Sequence, residues 1–282
     1  MVQLAVADKT ELTDEQYQLV SQTVYRHCGI NLHDGKKELV RSRLAKLLRK
    51  YNKTSYSEYI EEVLADPDGP VFSEFINSLT TNLTMFFREP NHFDFLGENI
   101  MPKLILSKSS EGNCRIRAWS AGCSSGEEPY SIAMLIRDSI NNINKWDIKI
   151  LASDISSSIL EKAREGKYDK DRIVNVPPAL KSKYMTRIST EKNKVQISSD
   201  IKEMIAFKYL NLIKQWPVKG PFDFIFCRNV MIYFDKQTQQ KLINNFWNVL
   251  APGGILFTGH SESLTGIKHS FKYVEPTIYS KA

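Results

Sequence analysis

From residue 115 onward the chain is a succession of short apolar runs separated by segments of helical period. Arg115–Trp119, Ile148–Ser153, Ala206–Leu210, Phe222–Cys227 and Gly254–Thr258 read as strands. Glu127–Ile140, a segment starting at Ile159–Arg164, and Lys236–Leu250 read as helices between them. Phe222–Cys227 is apolar except for Asp223, so it has no polar face to turn to water. Strands this short and apolar, joined by helices, call for a parallel sheet covered on both faces. Pro252-Gly253-Gly254 is expected to turn the chain into its strand, and a last strand pair is expected near Phe271–Val274 and Thr277–Tyr279. Ligands of such sheets bind beyond the carboxyl ends of the strands, where the strand order reverses.

The section before this alternation is helical. Thr13 with Gln16, and Ser55 with Glu58, have the spacing of capping boxes, and Pro70 suits the first turn of a further helix. Val40, Leu44, Leu47, Leu48 and Tyr51 form one apolar face, and Lys36, Arg43, Lys46 and Lys50 recur at helical spacing on another. Between Lys36 and Lys53 eight basic residues face a single acid, Glu38, a local excess of seven in a chain whose net charge is +6. The positive charge is thus one patch. A solvated helix face is the plain alternative, but this concentration favours an acidic partner. Nucleic acid, an acidic protein surface and anionic lipid are all open at this point.

At 282 residues, with 42% hydrophobic and 25% charged residues, the composition is that of a soluble globular protein with one large or two modest domains. No apolar run is long enough to span a membrane, and the amino terminus lacks a signal peptide pattern. Cys28, Cys114, Cys123 and Cys227 are dispersed, and the five histidines have no metal-ligand spacing, so a reduced, cytoplasmic protein without a metal is expected.

The stretch AWSAGCSSGEEPYSIAM, Ala118 to Met134, joins the first strand to its helix through a small-residue loop. A helix N-terminus after such a loop is suited to phosphate. Here, however, the glycines Gly122 and Gly126 do not fit a dinucleotide fingerprint, no P-loop lysine follows, and Glu127 and Glu128 would repel an anion. The ligand should therefore carry positive charge or donor groups, and S-adenosylmethionine, with an ammonium, a sulfonium and no phosphate, fits. Asp154, at the end of the second strand, is placed to hold ribose hydroxyls. Each acid also has a plainer duty open to it: complementing the helix dipole for the glutamates, capping the next helix for Asp154.

Five blocks carry a family resemblance: TTNLTMFFRE (Thr80–Glu89), WSAGCSSGEEPYSIA (Trp119–Ala133), ASDIS (Ala152–Ser156), PFDFIFCRNVMIYFD (Pro221–Asp235) and GGILFTGHSES (Gly253–Ser263). In order and content they resemble the chemotaxis receptor glutamate O-methyltransferases, the CheR family. The resemblance implies an all-α N-terminal domain over 1–88 and an α/β, Rossmann-like class I methyltransferase domain over 89–282. It places a small inserted antiparallel β subdomain at about 166–203. It further implies a cytoplasmic enzyme, expected as a monomer, that methylates glutamate side chains on cytoplasmic chemoreceptor helices, with neither nucleic acid binding nor membrane insertion. The cofactor S-adenosylmethionine (product S-adenosylhomocysteine) should meet Asn82, Thr84, Arg88, Glu128, Asp154, Asn211, Leu212, Arg228 and Asn229. Asn211 and Leu212 belong against the adenine, and Arg88 and Tyr233 belong on the acceptor carboxylate. Lys36, Arg43, Lys46 and Lys50 are expected to contact the receptor. Family members that dock a receptor C-terminal pentapeptide on the insert carry glycines in a loop that here, at Ile188–Lys194, has none, so that tether is expected to be missing. An RNA methyltransferase using the same cofactor, or a non-catalytic binding protein on this fold, is the alternative; the aromatics Phe86, Phe87, Phe93 and Phe95 are read as interdomain core rather than a base-stacking surface.

Overall fold

The computed structural model of the chain describes residues 11–67 and 69–282, so the first ten residues of the expected helical domain lie outside the described residues. Contacts divide these into two units, one running to Thr81 and including Tyr233–Asp235, the other made of Asn82–Ile232 with Lys236–Ala282.

The first unit contains, among the described residues, α1 (Asp14–Cys28), α2 (Lys37–Lys50), α3 (Tyr56–Ala65) and α4 (Pro70–Leu79). The Thr13–Gln16 capping box is complete: the Thr13 hydroxyl accepts from Gln16 N and the Gln16 carbonyl from Thr13 N. At α3 only half of the expected box forms. Ser55 Oγ accepts from Glu58 N, but the Glu58 carboxylate accepts from Thr54 N and pairs with Lys53. Val20, Val24, Val40, Leu44, Leu47, Tyr59, Phe72 and Phe75 are buried in this unit.

The second unit begins with α5 (Pro90–Phe95), which continues through a π-helical turn, Leu96–Ile100, into α6 (Met101–Ser110). Met101 N–H reaches back to Leu96 O, and the wide turn falls just before Pro102, which has no N–H to give. Then follow β1 (Arg115–Ala121), α7 (Glu127–Ser139), β2 (Asp147–Asp154), α8 (Ser157–Glu165), β3 (Lys167–Asp169), α9 (Pro178–Tyr184), β4 (Met185–Arg187), β5 (Lys194–Ile197) and α10 (Ser199–Lys202). The chain ends with β6 (Ile205–Tyr209), β7 (Phe222–Cys227), α11 (Lys236–Val249), β8 (Leu250–Thr258), β9 (Lys272–Glu275) and β10 (Ile278–Ser280).

The main sheet has the order β6-β2-β1-β7-β8-β10-β9, with β10 antiparallel on β8. Strand order reverses between β1 and β7, so the loop after β1 opens at the switch point. Each residue of β7 is buried, as expected for a central parallel strand. Its Asp223 is tolerated because its carboxylate accepts from Arg117 N and pairs with Lys108, both at 2.7 Å. Pro252-Gly253-Gly254 does not precede β8 but lies inside it as a bulge: Leu250 pairs with Phe222, and the register resumes at Ile255 opposite Phe224. The insert is a small antiparallel sheet, β3-β5-β4. Phe86, Phe93 and Phe95 are core of the second unit itself, with Phe93 against Phe226 and Phe95 against Phe257.

Candidate active site

The loop from β1 to α7 is held by its backbone. Gly122 N and Cys123 N both donate to Ser153 O at the end of β2. Gly122 has φ 83°, and a Cβ there would lie 2.3 Å from a Val230 methyl, so the close approach of Val230 requires glycine. Ser124, at φ 48°, is left-handed without being glycine, and so are Phe87, Glu89 and Asn229 nearby in the motifs. Such conformations cost about 1–3 kcal/mol each and gather at functional sites.

Asp154 is buried, and both carboxylate oxygens are engaged: Oδ2 accepts from Ser124 N at 2.8 Å and Oδ1 from Ser156 N at 2.9 Å. Burial raises its pKa and these amides oppose the rise. Asp154 thus builds the turn as well as facing it, and each oxygen keeps a lone pair for a ligand hydroxyl. Asn211 follows directly after Leu210, whose N–H donates to Asp154 O, and the Asn211 carbonyl accepts from Ile213 N. Leu212 is buried beside it.

Glu127 and Glu128 are both buried and both paired. Glu128 Oε1 accepts from Ser120 Oγ at 2.7 Å and Oε2 from Arg228 Nε at 2.8 Å. Glu127 accepts from Ser125 Oγ at 2.6 Å and is paired with Arg172 of the insert, which also reaches Thr84 O. Tyr168, on β3, donates to Ser125 O at 2.6 Å. The insert therefore holds the loop at two points.

Segment 82–89 is stitched to the same loop. Asn82 O accepts from Ser124 Oγ, Phe87 N donates to Ser131 Oγ, and Arg88 Nη1 turns back to Leu83 O. Arg88 O accepts from Arg228 Nη1 at 2.7 Å. The Arg228 side chain, 1% exposed, lies over the rings of Phe93 and Phe226, and Nη1 also meets His92 Nδ1 at 3.0 Å and Glu89 Oε2 at 3.2 Å. Asn229 donates from Nδ2 to Glu89 Oε1, and its N–H donates to Glu262 Oε2 at 2.7 Å. Glu262 also accepts from Gly259 N and Ile232 N, and burial raises its pKa.

Asn82, Thr84, Arg88, Glu128, Asp154, Asn211, Leu212, Arg228 and Asn229 all belong to the second unit, and bonded chains link Glu128–Arg228–Arg88 and Asn82–Ser124–Asp154. Tyr233 belongs to the first unit, where its carbonyl accepts from Asn31 N. Glu89, His92, Arg172 and Glu262 were not singled out by the sequence reading. Their partners lie far along the chain, and only Glu89 and Glu262, inside the quoted motifs, left any trace to find them by.

The basic patch is largely answered locally. Lys50 pairs with Glu74, Lys37 with Asp14, Arg41 with Glu38, and Lys53 with Glu58 and Glu62. Arg43 bonds Leu79 O and Thr80 O at 2.8 and 3.0 Å, closing the C-terminus of α4. Lys36 and Lys46 have no ion-pair partner among the described residues and are exposed.

Four carboxylates, Glu89, Glu127, Glu128 and Asp154, stand around the loop against three guanidiniums, Arg88, Arg172 and Arg228, a balance that favours a cationic ligand over a phosphate. With the parallel sheet and its switch-point loop, these features define an S-adenosylmethionine-dependent methyltransferase. Residues 82–280 match the family model described as CheR methyltransferase, SAM binding domain, and residues 15–80 match CheR methyltransferase, all-alpha domain. The chemotaxis protein methyltransferase of Borreliella burgdorferi is 43% identical over 273 residues, covering 96% of this chain and 95% of that one. That of Escherichia coli is 38% identical over 280 residues, covering 98% and 94%. A probable chemotaxis protein methyltransferase of Rhizobium etli is 41% identical over 258 residues, covering 91% and 96%. The chain belongs to the CheR methyltransferase family.

Proposed function

We propose that the chain transfers the methyl group of S-adenosylmethionine to glutamate carboxylates on cytoplasmic helices of chemoreceptors, giving methyl esters in sensory adaptation. The observation that carries this reading is the buried acidic helix start, where Glu127 and Glu128 remain in place because Arg172 and Arg228 accompany them. S-adenosylmethionine brings a methyl group already activated on a sulfonium. A glutamate acceptor, with a pKa of about 4.3, is ionised at neutral pH and needs no general base. In keeping with this, the buried imidazole of the site, His92, is held neutral by burial and by Arg228, its pKa lowered to about 4.

The protein's task is then binding, alignment and exclusion of water. Glu128 takes the ammonium end of the cofactor and Asp154 the ribose hydroxyls. Asn211 and Leu212 flank the adenine, and Asn82, Thr84, Arg88, Arg228 and Asn229 complete the wall. Arg88 orients the acceptor carboxylate and Tyr233 donates one hydrogen bond to it; Tyr233 is assigned from its motif alone. Lys36, Lys46 and Lys50 steer the glutamate-rich receptor helices, and Arg43 supports them by holding α4. The enzyme acts as a monomer in the cytoplasm, and the glycine-free loop at Ile188–Lys194 does not tether a receptor pentapeptide.

The test is methyl-tritiated cofactor given to receptor-bearing membranes and, separately, to total RNA. Base-labile label on receptor alone is expected. Label on RNA, or on neither, overturns the reading.

A further inference from the structure

Glu89, His92 and His260 bring one potential ligand atom each within 4.8 Å of one another, the geometry of a metal site. The hydrogen bonds argue otherwise. Thr277 Oγ1 gives its proton to Pro276 O at 2.6 Å, so toward His92 Nε2, 2.8 Å away, it accepts. His92 therefore carries its proton on Nε2. The other nitrogen, Nδ1, faces Arg228 Nη1 at 3.0 Å, and an arginine only donates. Both ring nitrogens are committed, and a guanidinium sits where a cation would have to bind.

What the cluster does instead is fix that guanidinium. Arg228 Nη1 is held by Arg88 O, Glu89 Oε2 and His92 Nδ1, while Nε on its other side donates to Glu128 Oε2. We propose that His92 is a positioning residue: its Nδ1, accepting from Arg228, sets the guanidinium and through it the Glu128 carboxylate at the height needed to receive the cofactor's ammonium end. This rests on the reading above that Glu128 faces the cofactor. The position demands an acceptor on one side and a donor on the other, within a fully buried site, and a neutral imidazole supplies both at a fixed separation.

The test separates the two halves of the ring. In His92→Asn the amide oxygen takes the place of Nδ1 and the contact to Thr277 is lost. In His92→Gln the amide reaches the place of Nε2 and the acceptor for Arg228 is lost. Calorimetry with S-adenosylmethionine should show the Gln variant weakened by about tenfold or more and the Asn variant within roughly threefold of the parent. Thermal stability without cofactor should fall in both, and turnover at saturating cofactor should return in the Gln variant. Equal affinities for the two variants, or tighter binding by Gln, overturn the inference. Glu128→Gln is measured alongside: parent-like affinity there overturns the cofactor placement, whereas a weak Glu128→Gln with a parent-like His92→Gln overturns the role of His92 alone.

Discussion

Arg228 Nε lies 2.8 Å from Glu128 Oε2, across 100 residues of sequence, with both side chains out of water. The carboxylate that opens α7 is thus delivered by the residue that follows β7, and the two strands flanking the switch point are joined through a charge pair. Removing one partner of a buried pair costs about 3–5 kcal/mol where the other is left uncompensated. Arg228 keeps Glu89, so the loss for Glu128→Gln should fall below that range. Glu128→Gln should therefore weaken cofactor binding and also lower the melting temperature of the cofactor-free protein. A double-mutant cycle with Arg228→Met should recover part of the stability but none of the affinity. Independent, additive stability losses in the cycle would show that the pair is not coupled.

Asp154→Asn tests a different dependence. Both carboxylate oxygens accept backbone N–H groups, so an amide NH2 must face a donor on one side. Losing one charge-assisted bond costs about 1.5–3 kcal/mol. Calorimetry should show weaker binding of S-adenosylmethionine, and hydrogen exchange should rise at Ser124 N. Unchanged affinity removes Asp154 from the ribose.

Acid stability follows from His92. Its pKa in the folded protein, about 4, lies below the ordinary 6.5, first because burial disfavours the charged ring and then because Arg228 and His260 oppose it, with Glu89 favouring it. The unfolded chain binds a proton that the folded one refuses, so stability is full above pH 6.5 and declines as the pH falls toward 4. Below that, both states are protonated and this contribution stops changing. Chemical denaturation between pH 7 and 4 should show a shallower decline for His92→Asn than for the parent; identical slopes would mean the imidazole is not held neutral.

How much of this could be read in advance depends on distance along the chain. The parallel sheet was legible because each strand announces itself in five or six consecutive residues, and the position of Glu128 and Asp154 at the loop after β1 because it depends on nearby sequence. That they hold the cofactor remains a proposal. Helix α5–α6 was not, since Pro90 and Pro102 interrupt its pattern and the π turn shifts its period. His92 meets Thr277 across 185 residues and Arg43 meets Leu79 across 36, and no periodicity encodes such pairs. The charge count of the basic segment was correct, yet Glu74, Asp14, Glu58 and Glu62, which offset it, arrive from other elements.

That offset decides how receptor steering is to be tested. Arg43→Glu would strip the bonds to Leu79 O and Thr80 O and lower stability, confounding the result. Lys36→Glu with Lys46→Glu changes exposed charge only. The double variant should raise the receptor KM and flatten its dependence on salt, with cofactor affinity unchanged, because exposed charges act over a Debye length of about 8 Å. An unaltered receptor KM would leave the patch as a solvated face.

Tyr233→Phe isolates the acceptor side. Turnover at saturating receptor should fall while cofactor affinity holds, since the hydroxyl is assigned to the acceptor carboxylate. Equal rates for the two proteins would end that assignment.

The two bonds from the insert, Tyr168 to Ser125 O and Arg172 to Glu127, bear on how this enzyme can be rebuilt. A β insert taken from a relative and spliced between α8 and β6 would not behave as an independent cassette. Unless it brought a tyrosine and an arginine to the same two places, the recipient would keep a buried Glu127 without its cationic partner and a loop after β1 that had lost both of its props from the insert.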